Sequence, residues 1–238
     1  MNLVMLDIDG TLTQSYDYDR EIFGRAIAEV LGCPPFDADL TGYVDKTSTG
    51  VTMEAIRRIT GRNPRVGEIV EVKRRVRHHL EKLFKESPET FSEVPGAKRF
   101  LARLRKLDGV GIAIATGCWR SEAFFKLRAS GLSIAGIPLA TSDDDRNRQK
   151  IMEIAAGRAR DFHACPGFER VVYLGDGDWD WQTSQSLGYS FIGIGPRLQA
   201  AKDVYGFCWH PDFQELEAVF TSIAGALKPG SPLSPSAQ

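Results

Sequence analysis

The stretch LVMLDIDGTLTQS, residues 3–15, decides how the rest of the chain is read. Val4, Met5 and Leu6 close an apolar run too brief for a helix, which reads as a buried strand ending near Asp7. Asp7 and Asp9 then stand two residues apart, a spacing that puts both side chains on one side of an extended chain. Gly10 frees the backbone for a sharp exit. Two carboxylates held together at a strand end resist ionising together unless a cation lies between them. Hard oxygen ligands suit Mg²⁺. An ordinary polar turn explains Asp-x-Asp-Gly equally well, because turn residues gather after strands.

The chain of 238 residues has room for one large domain or for a core with a small insert. Its 42% hydrophobic and 26% charged residues suit a globular protein with a sizeable core. A formal net charge of −1 gives no global attraction to nucleic acid or to an anionic membrane, so neither is expected as a partner. No apolar run reaches the length of a membrane span, and a cytoplasmic location is expected. Cys33, Cys118, Cys165 and Cys208 are scattered without zinc or redox spacing and read as reduced, mostly buried thiols.

After Ser15 the periodicity turns helical, with Ile22, Phe23, Ala26, Ile27, Val30 and Leu31 on one stripe, Asp17 or Asp19 as a cap, and Gly32 as the stop. A second helix carries Val51, Ala55, Ile56 and Ile59 and ends at Gly61. A third, over residues 67–86, sets Ile69, Val72, Val76, Leu80 and Leu83 opposite a basic face that reads as solvated, since no aromatic residues interleave it. Beyond the linker SPETFSEVP, residues 87–95, strands are expected at 110–115, 137–140, 171–174, 191–194 and 207–209, alternating with helices. The predicted architecture is α/β, an open parallel Rossmann-like sheet with helices on both faces plus a small all-helical cap. Residues 1–16 and 89–228 form the core, 17–88 the cap, and 229–238 a flexible tail.

Open parallel sheets bind ligands at the carboxyl ends of their strands, so polar residues are sought there. The second strand runs into Thr116-Gly117, a hydroxyl and a glycine able to bind a phosphoryl oxygen at a helix start. The strand at 171–174 runs into GDGDWD, residues 175–180, where three acids in five residues exceed what a turn and an N-cap require.

Together these stretches resemble, in order, motifs of the haloacid dehalogenase (HAD) superfamily of aspartate-nucleophile phosphohydrolases. The insert resembles the helical cap of phosphoglycolate phosphatases and β-phosphoglucomutases. The resemblance implies Asp7 as nucleophile and Asp9 as general acid and base. It implies an Mg²⁺ site of Asp7, the Asp9 backbone carbonyl and Asp176, with Asp180 as a ligand or an acceptor behind the ligands. It also asks for a phosphate-site cation before the fourth motif, where SDDDRNRQK offers Arg148, at the expected place, and Lys150, of the expected type. The implied substrate is a small phosphorylated metabolite, with the protein a monomer or weak homodimer.

Specificity candidates are Gln14, Tyr16 and Tyr18 at the hinge, Lys46, Thr47, Ser48 and Thr49 in a polar cap loop, and Trp119 and Arg120 after the phosphate loop. For Trp119 a half-buried place at a helix start fits equally. Asp9 argues against carbon–halogen hydrolysis, which family dehalogenases perform without that acid. The alternatives are a phosphomutase of the same fold and a phosphoaspartate signalling or binding module.

Overall fold

The computed structural model describes residues 1–36, 38 and 42–228, and the side chains of all of these except Tyr16 and Asp17. The expected tail and the Tyr16 side chain lie outside that description. Among the described residues the centre is a six-stranded, wholly parallel sheet: β1 (Asn2–Leu6), β2 (Val110–Ala115), β3 (Leu139–Ala140), β4 (Val171–Gly175), β5 (Ser190–Ile194) and β6 (Cys208–His210). Their spatial order is β3-β2-β1-β4-β5-β6. The order reverses at β1, whose two neighbours are β2 and β4, and this opens a crevice at its carboxyl end.

Alternation along the strands explains the layering, because successive side chains take opposite faces. Val4, Leu6, Ile112, Ile114, Val172 and Leu174 face one layer, built by α4 (Ala97–Leu104), α5 (Arg120–Ala129) and α9 (Leu216–Ala226), where Phe100, Leu127 and Phe220 fill the space. Leu3, Met5, Ala113, Ala115 and Tyr173 face the other, built by α6 (Arg148–Phe162) and α7 (Asp178–Leu187) with Ile151, Met152, Ala155 and Trp181. Every strand buried on both faces is short and apolar, as the sequence required.

Between β1 and β2 come α1 (Tyr16–Leu31), α2 (Ser48–Thr60) and α3 (Val66–Glu86). They have their own apolar cluster, including Ile22, Ile27, Ile56, Val72 and Leu80, joined from the sheet side by Trp119. Gly32 and Gly61 end α1 and α2 in the left-handed conformation, at φ 66° and 69°. The basic face of α3 is paired: Arg74 and Arg75 bind Glu71, Arg77 binds Glu81, and Lys73 crosses to Asp143.

Several expectations need correction. Ser15, not Asp17 or Asp19, occupies the N-cap of α1. The final helix, expected from the sequence over 211–227, begins instead at Leu216, because residues 211–215 turn to bring Phe213 under Phe100, at 4.3 Å between ring centres. A short helix, α8 (Lys202–Tyr205), was not foreseen. Of the four free thiols only Cys118 is buried, and Cys208 is exposed.

Candidate active site

Parallel pairing of β1 with β2 and β4 sets three carboxyl ends side by side. Asp7 leaves β1 with its N–H bonded to Leu174 O at 3.0 Å, so its side chain enters the crevice beside the β4 loop. Oxygens of Asp7, Asp176 and Asp180 lie within 4.8 Å of one another, and all three residues are buried. The close approach depends on Gly10, at φ +71°, where a Cβ would stand 2.0 Å from Asp176 Oδ2.

Asp180 lies in the first turn of α7, which starts at Asp178. Its Oδ2 accepts the Gly177 N–H at 3.1 Å and its Oδ1 takes Arg148 Nη1 at 2.8 Å. The same Nη1 reaches Asp7 Oδ2 at 3.8 Å. Arg148 passes over Gly117, where a Cβ would come within 2.7 Å of Nη2, and its Nη2 donates to Lys46 O at 3.4 Å. The pairing of Arg148 with Asp180 and Asp7 outweighs the effect of burial and holds its proton firmly. Lys150, by contrast, binds Glu153 at 2.7 Å on the exposed side of α6. Of the two cation candidates, Arg148 enters the cluster and Lys150 does not, since two positions along a helix turn a side chain away from the face.

The cluster is short of positive charge. Burial, then the Asp180 carboxylate, raises Asp7 well above the ordinary carboxylate range. Burial pushes Asp176 up to about 7, although Arg197 Nη1 binds its Oδ2 at 3.0 Å. Asp180 is raised too, chiefly by burial. Among the described residues, Asp7 Oδ1 is buried with no hydrogen-bond partner. An orphaned carboxylate oxygen next to two more acids is the arrangement a hard divalent cation satisfies, so these residues fit Mg²⁺.

Asp9 is held differently. Its carboxylate accepts from Ser15 and Cys118, and from Lys126 Nζ at 2.9 Å. Burial alone would raise it, but Lys126 and the Cys118 and Ser15 hydrogen bonds more than offset that, leaving it below its usual value. Burial and the facing Asp9 raise Cys118 well above a free thiol, which makes it a hydrogen-bond donor and not a nucleophile. Thr116 is buried, and its Oγ1 accepts the Cys118 N–H at 3.2 Å.

A cavity of about 90 Å³ opens on these groups, with Asp7, Asp9, Gly117, Arg148 and Asp176 at the sheet end and Asp19, Arg20, Phe23 and Val51 on the cap side. The cap is closed on it: Ser48 N–H meets Gly117 O at 2.8 Å, Thr47 Oγ1 donates to Arg146 O at 2.7 Å, and Thr49 Oγ1 to Ser142 O at 2.7 Å. Lys46, Thr47 and Ser48 of the cap loop line the cavity, with Lys46 Nζ bound to Asp178 at 3.5 Å and over the Trp179 ring at 4.8 Å.

The specificity candidates Trp119, Arg120, Gln14 and Tyr18 fall elsewhere. Trp119 is buried, stacked on Phe23 at 5.4 Å with Nε1 on Thr49, so it joins cap to core and does not line the cavity. Arg120 points outward to Asp144 at 3.6 Å. Gln14 binds Glu93 O at 3.1 Å on the surface, and Tyr18 packs on Phe91 at 4.8 Å. Polar type at a loop position does not say which way a side chain turns. Sequence reasoning missed Lys126, Glu122, Asp19, Arg197 and Trp179. The spacing of Glu122 and Lys126, four apart on α5, was the available signal, but it is equally that of a surface pair.

Solved structures with this fold cover nearly the whole chain. A hydrolase from Pseudomonas syringae matches at TM-score 0.69 and 20% identity, over 94% of this chain and 99% of its own. CbbY from Rhodobacter sphaeroides, in complex with phosphate, matches at TM-score 0.68 and 20% identity over 91% and 96%. A candidate beta-phosphoglucomutase from Bacteroides vulgatus matches at TM-score 0.65 and 18% identity over 96% and 91%. No curated protein matches the sequence. The family model of haloacid dehalogenase-like hydrolases matches residues 1–188, a span that holds β1, the helical insert and Asp7, Arg148, Asp176 and Asp180, and the chain belongs to that family of hydrolases.

Proposed function

We propose that the protein is an Mg²⁺-dependent phosphohydrolase acting on a small phosphorylated metabolite through an aspartyl phosphate on Asp7. The observation that carries this reading is Asp7, which lines the cavity with Arg148 and Asp176 and whose Oδ1 is buried with no partner among the described residues. The phosphate held by the CbbY relative supports it further.

In this reading Asp7 attacks phosphorus, splitting one hard displacement into two easier ones. An anion must approach an anion, and Arg148, held by Asp180 within 3.8 Å of Asp7, offsets the repulsion and stabilises charge on the phosphoryl oxygens. Thr116, whose oxygen already accepts from Cys118 N–H, keeps its proton for a phosphoryl oxygen. Asp9, ionised in the free site, takes a proton from the monoanionic form of the phosphate ester as it binds, gives it to the departing alkoxide, and then takes one from the water that hydrolyses the intermediate. Asp7, Asp176 and the Asp9 carbonyl would hold Mg²⁺, which supplies charge neutralisation at the phosphoryl group when bound. The closed cap excludes bulk water and, through Lys46 and Thr47, touches the part of the substrate that leaves.

The test is phosphate release from a panel of sugar, glycolate and other small phosphate esters with Mg²⁺. Turnover of at least one member is expected; none on any would overturn the reading. Net conversion of a sugar phosphate only in the presence of its bisphosphate, without phosphate release, would mark a mutase instead.

A second expectation follows from Asp176. Its pKa of about 7 in the fold exceeds that of a free aspartate, about 3.9. Protonated Asp176 therefore stabilises the metal-free protein fully below about pH 4, and this is lost as pH rises through about 7. Cation binding needs the ionised form, so the increase in Tm produced by Mg²⁺ grows from about pH 6 to about pH 8. Thermal denaturation with and without Mg²⁺ checks this, and an increase that is flat or shrinks with pH would contradict it.

A further inference from the structure

Lys126 has no solvent-exposed surface, although lysine is seldom buried without compensation. It stands on α5 one turn after Glu122, and both face inward towards the loop after β1 and the start of α1. Its ammonium donates to Asp9 Oδ1 at 2.9 Å, to Asp19 Oδ2 at 2.5 Å and to Glu122 Oε1 at 2.7 Å, with Cys118 Sγ at 3.8 Å. Three N–H donors meet three carboxylates, which uses the whole donor capacity of the group. Those carboxylates come from three places: the loop that carries the proposed acid and base, the cap helix α1, and α5 itself. Glu122 extends the set, because its Oε2 accepts from Ser48 Oγ of the cap at 3.0 Å.

We propose that Lys126 is a positioning residue for Asp9, which fixes where the Asp9 carboxylate stands in the cavity and ties that placement to the closed cap through Asp19. The proposal rests on the phosphohydrolase reading. Asp9 must leave or share this bond to reach the departing oxygen, and the bond returns it to the same place afterwards. Without Lys126, the donors left to Asp9 among the described residues are the uncharged Ser15 and Cys118, while Asp19 and Glu122 lose the cation that joins them to it.

The consequence is specific to the proton given to the leaving group. A p-nitrophenolate departs with little help, whereas an alkoxide needs a proton, and general acid catalysis contributes about 10²–10⁴-fold. The experiment compares p-nitrophenyl phosphate with the primary alkyl phosphate that the wild-type enzyme turns over fastest. Lys126→Met is expected to lower kcat on the alkyl ester about 100-fold and on p-nitrophenyl phosphate less than about 5-fold, with KM little changed for both. Lys126→Arg, which keeps a cation, is expected to restore part of the alkyl activity.

Equal losses on the two esters, or full alkyl activity in Lys126→Met, would overturn the proposal. If Lys126→Met does not fold, Lys126→Met/Asp19→Asn, which leaves one acid fewer without its cation, makes the same comparison. Wild-type protein that turns over neither ester would refute the phosphohydrolase reading. Crystal structures then decide Lys126 separately: an Asp9 carboxylate displaced by about 1 Å or more in the variant supports the role, and an unmoved one overturns it.

Discussion

Asp7→Asn is expected to abolish phosphate release while leaving the fold intact. An amide oxygen is no nucleophile towards phosphorus, and removing the nucleophile of a covalent mechanism costs on the order of 10⁴-fold or more in kcat. The same change relieves strain in the metal-free site. Burial and the neighbouring Asp180 already disfavour a charge at Asp7, so a neutral side chain of the same shape is better tolerated there than the carboxylate. The metal-free variant should therefore denature at or above the wild-type temperature, and the rise produced by Mg²⁺ should shrink because one oxygen ligand has lost its charge. Kinetics on the best ester of the panel and thermal denaturation with and without Mg²⁺ read both effects. Activity within tenfold of wild type would remove Asp7 from the role of nucleophile.

Arg148→Met is expected to be almost as damaging and, unlike Asp7→Asn, to destabilise the protein. Cations aimed at a transferring phosphoryl group are worth about 10³–10⁵-fold in rate, so kcat/KM should fall by about 10³-fold. Asp180 is fully buried and loses its partner at 2.8 Å. Stripping one member from a buried ion pair costs about 3–5 kcal/mol, because the other charge stays out of water without compensation. Lys150→Ala is the control. Its ammonium is exposed and paired across one turn with Glu153, an interaction that solvent screens almost completely, so activity should stay within about twofold. A large loss in Lys150→Ala with little in Arg148→Met would reverse the assignment.

Lys150 keeps the residue type that the family resemblance asks for and Arg148 keeps the position, and a linear reading cannot rank the two. The helix does, because residues two apart on α6 face directions about 200° apart, and only Arg148 looks across to Asp180. The open glycine at 117 is part of the same answer, since a side chain there would fill the space the guanidinium crosses. Trp119 shows the opposite case: its place beside the phosphate loop suggested contact with substrate, yet its indole turns into the cap cluster and binds Thr49.

What the chain states on its own is local. Apolar runs bounded by glycine and acid specify buried strands, the 3.6-residue stripes specify α1 to α3, and Asp7, Asp9, Thr116, Asp176 and Asp180 are visible because each follows a strand whose end is easily found. Which of the remaining polar residues join them was decided only in three dimensions. Lys126 and Glu122 have the spacing of any surface ion pair, Arg197 sits in a single 3₁₀ turn after β5, and Asp19 looks like a helix cap. Burial brings Lys126 to Asp9 and Arg197 to Asp176, because a charge taken out of water must find its opposite nearby. Those partners come from elements 21 to 117 residues apart, a separation that no periodicity records.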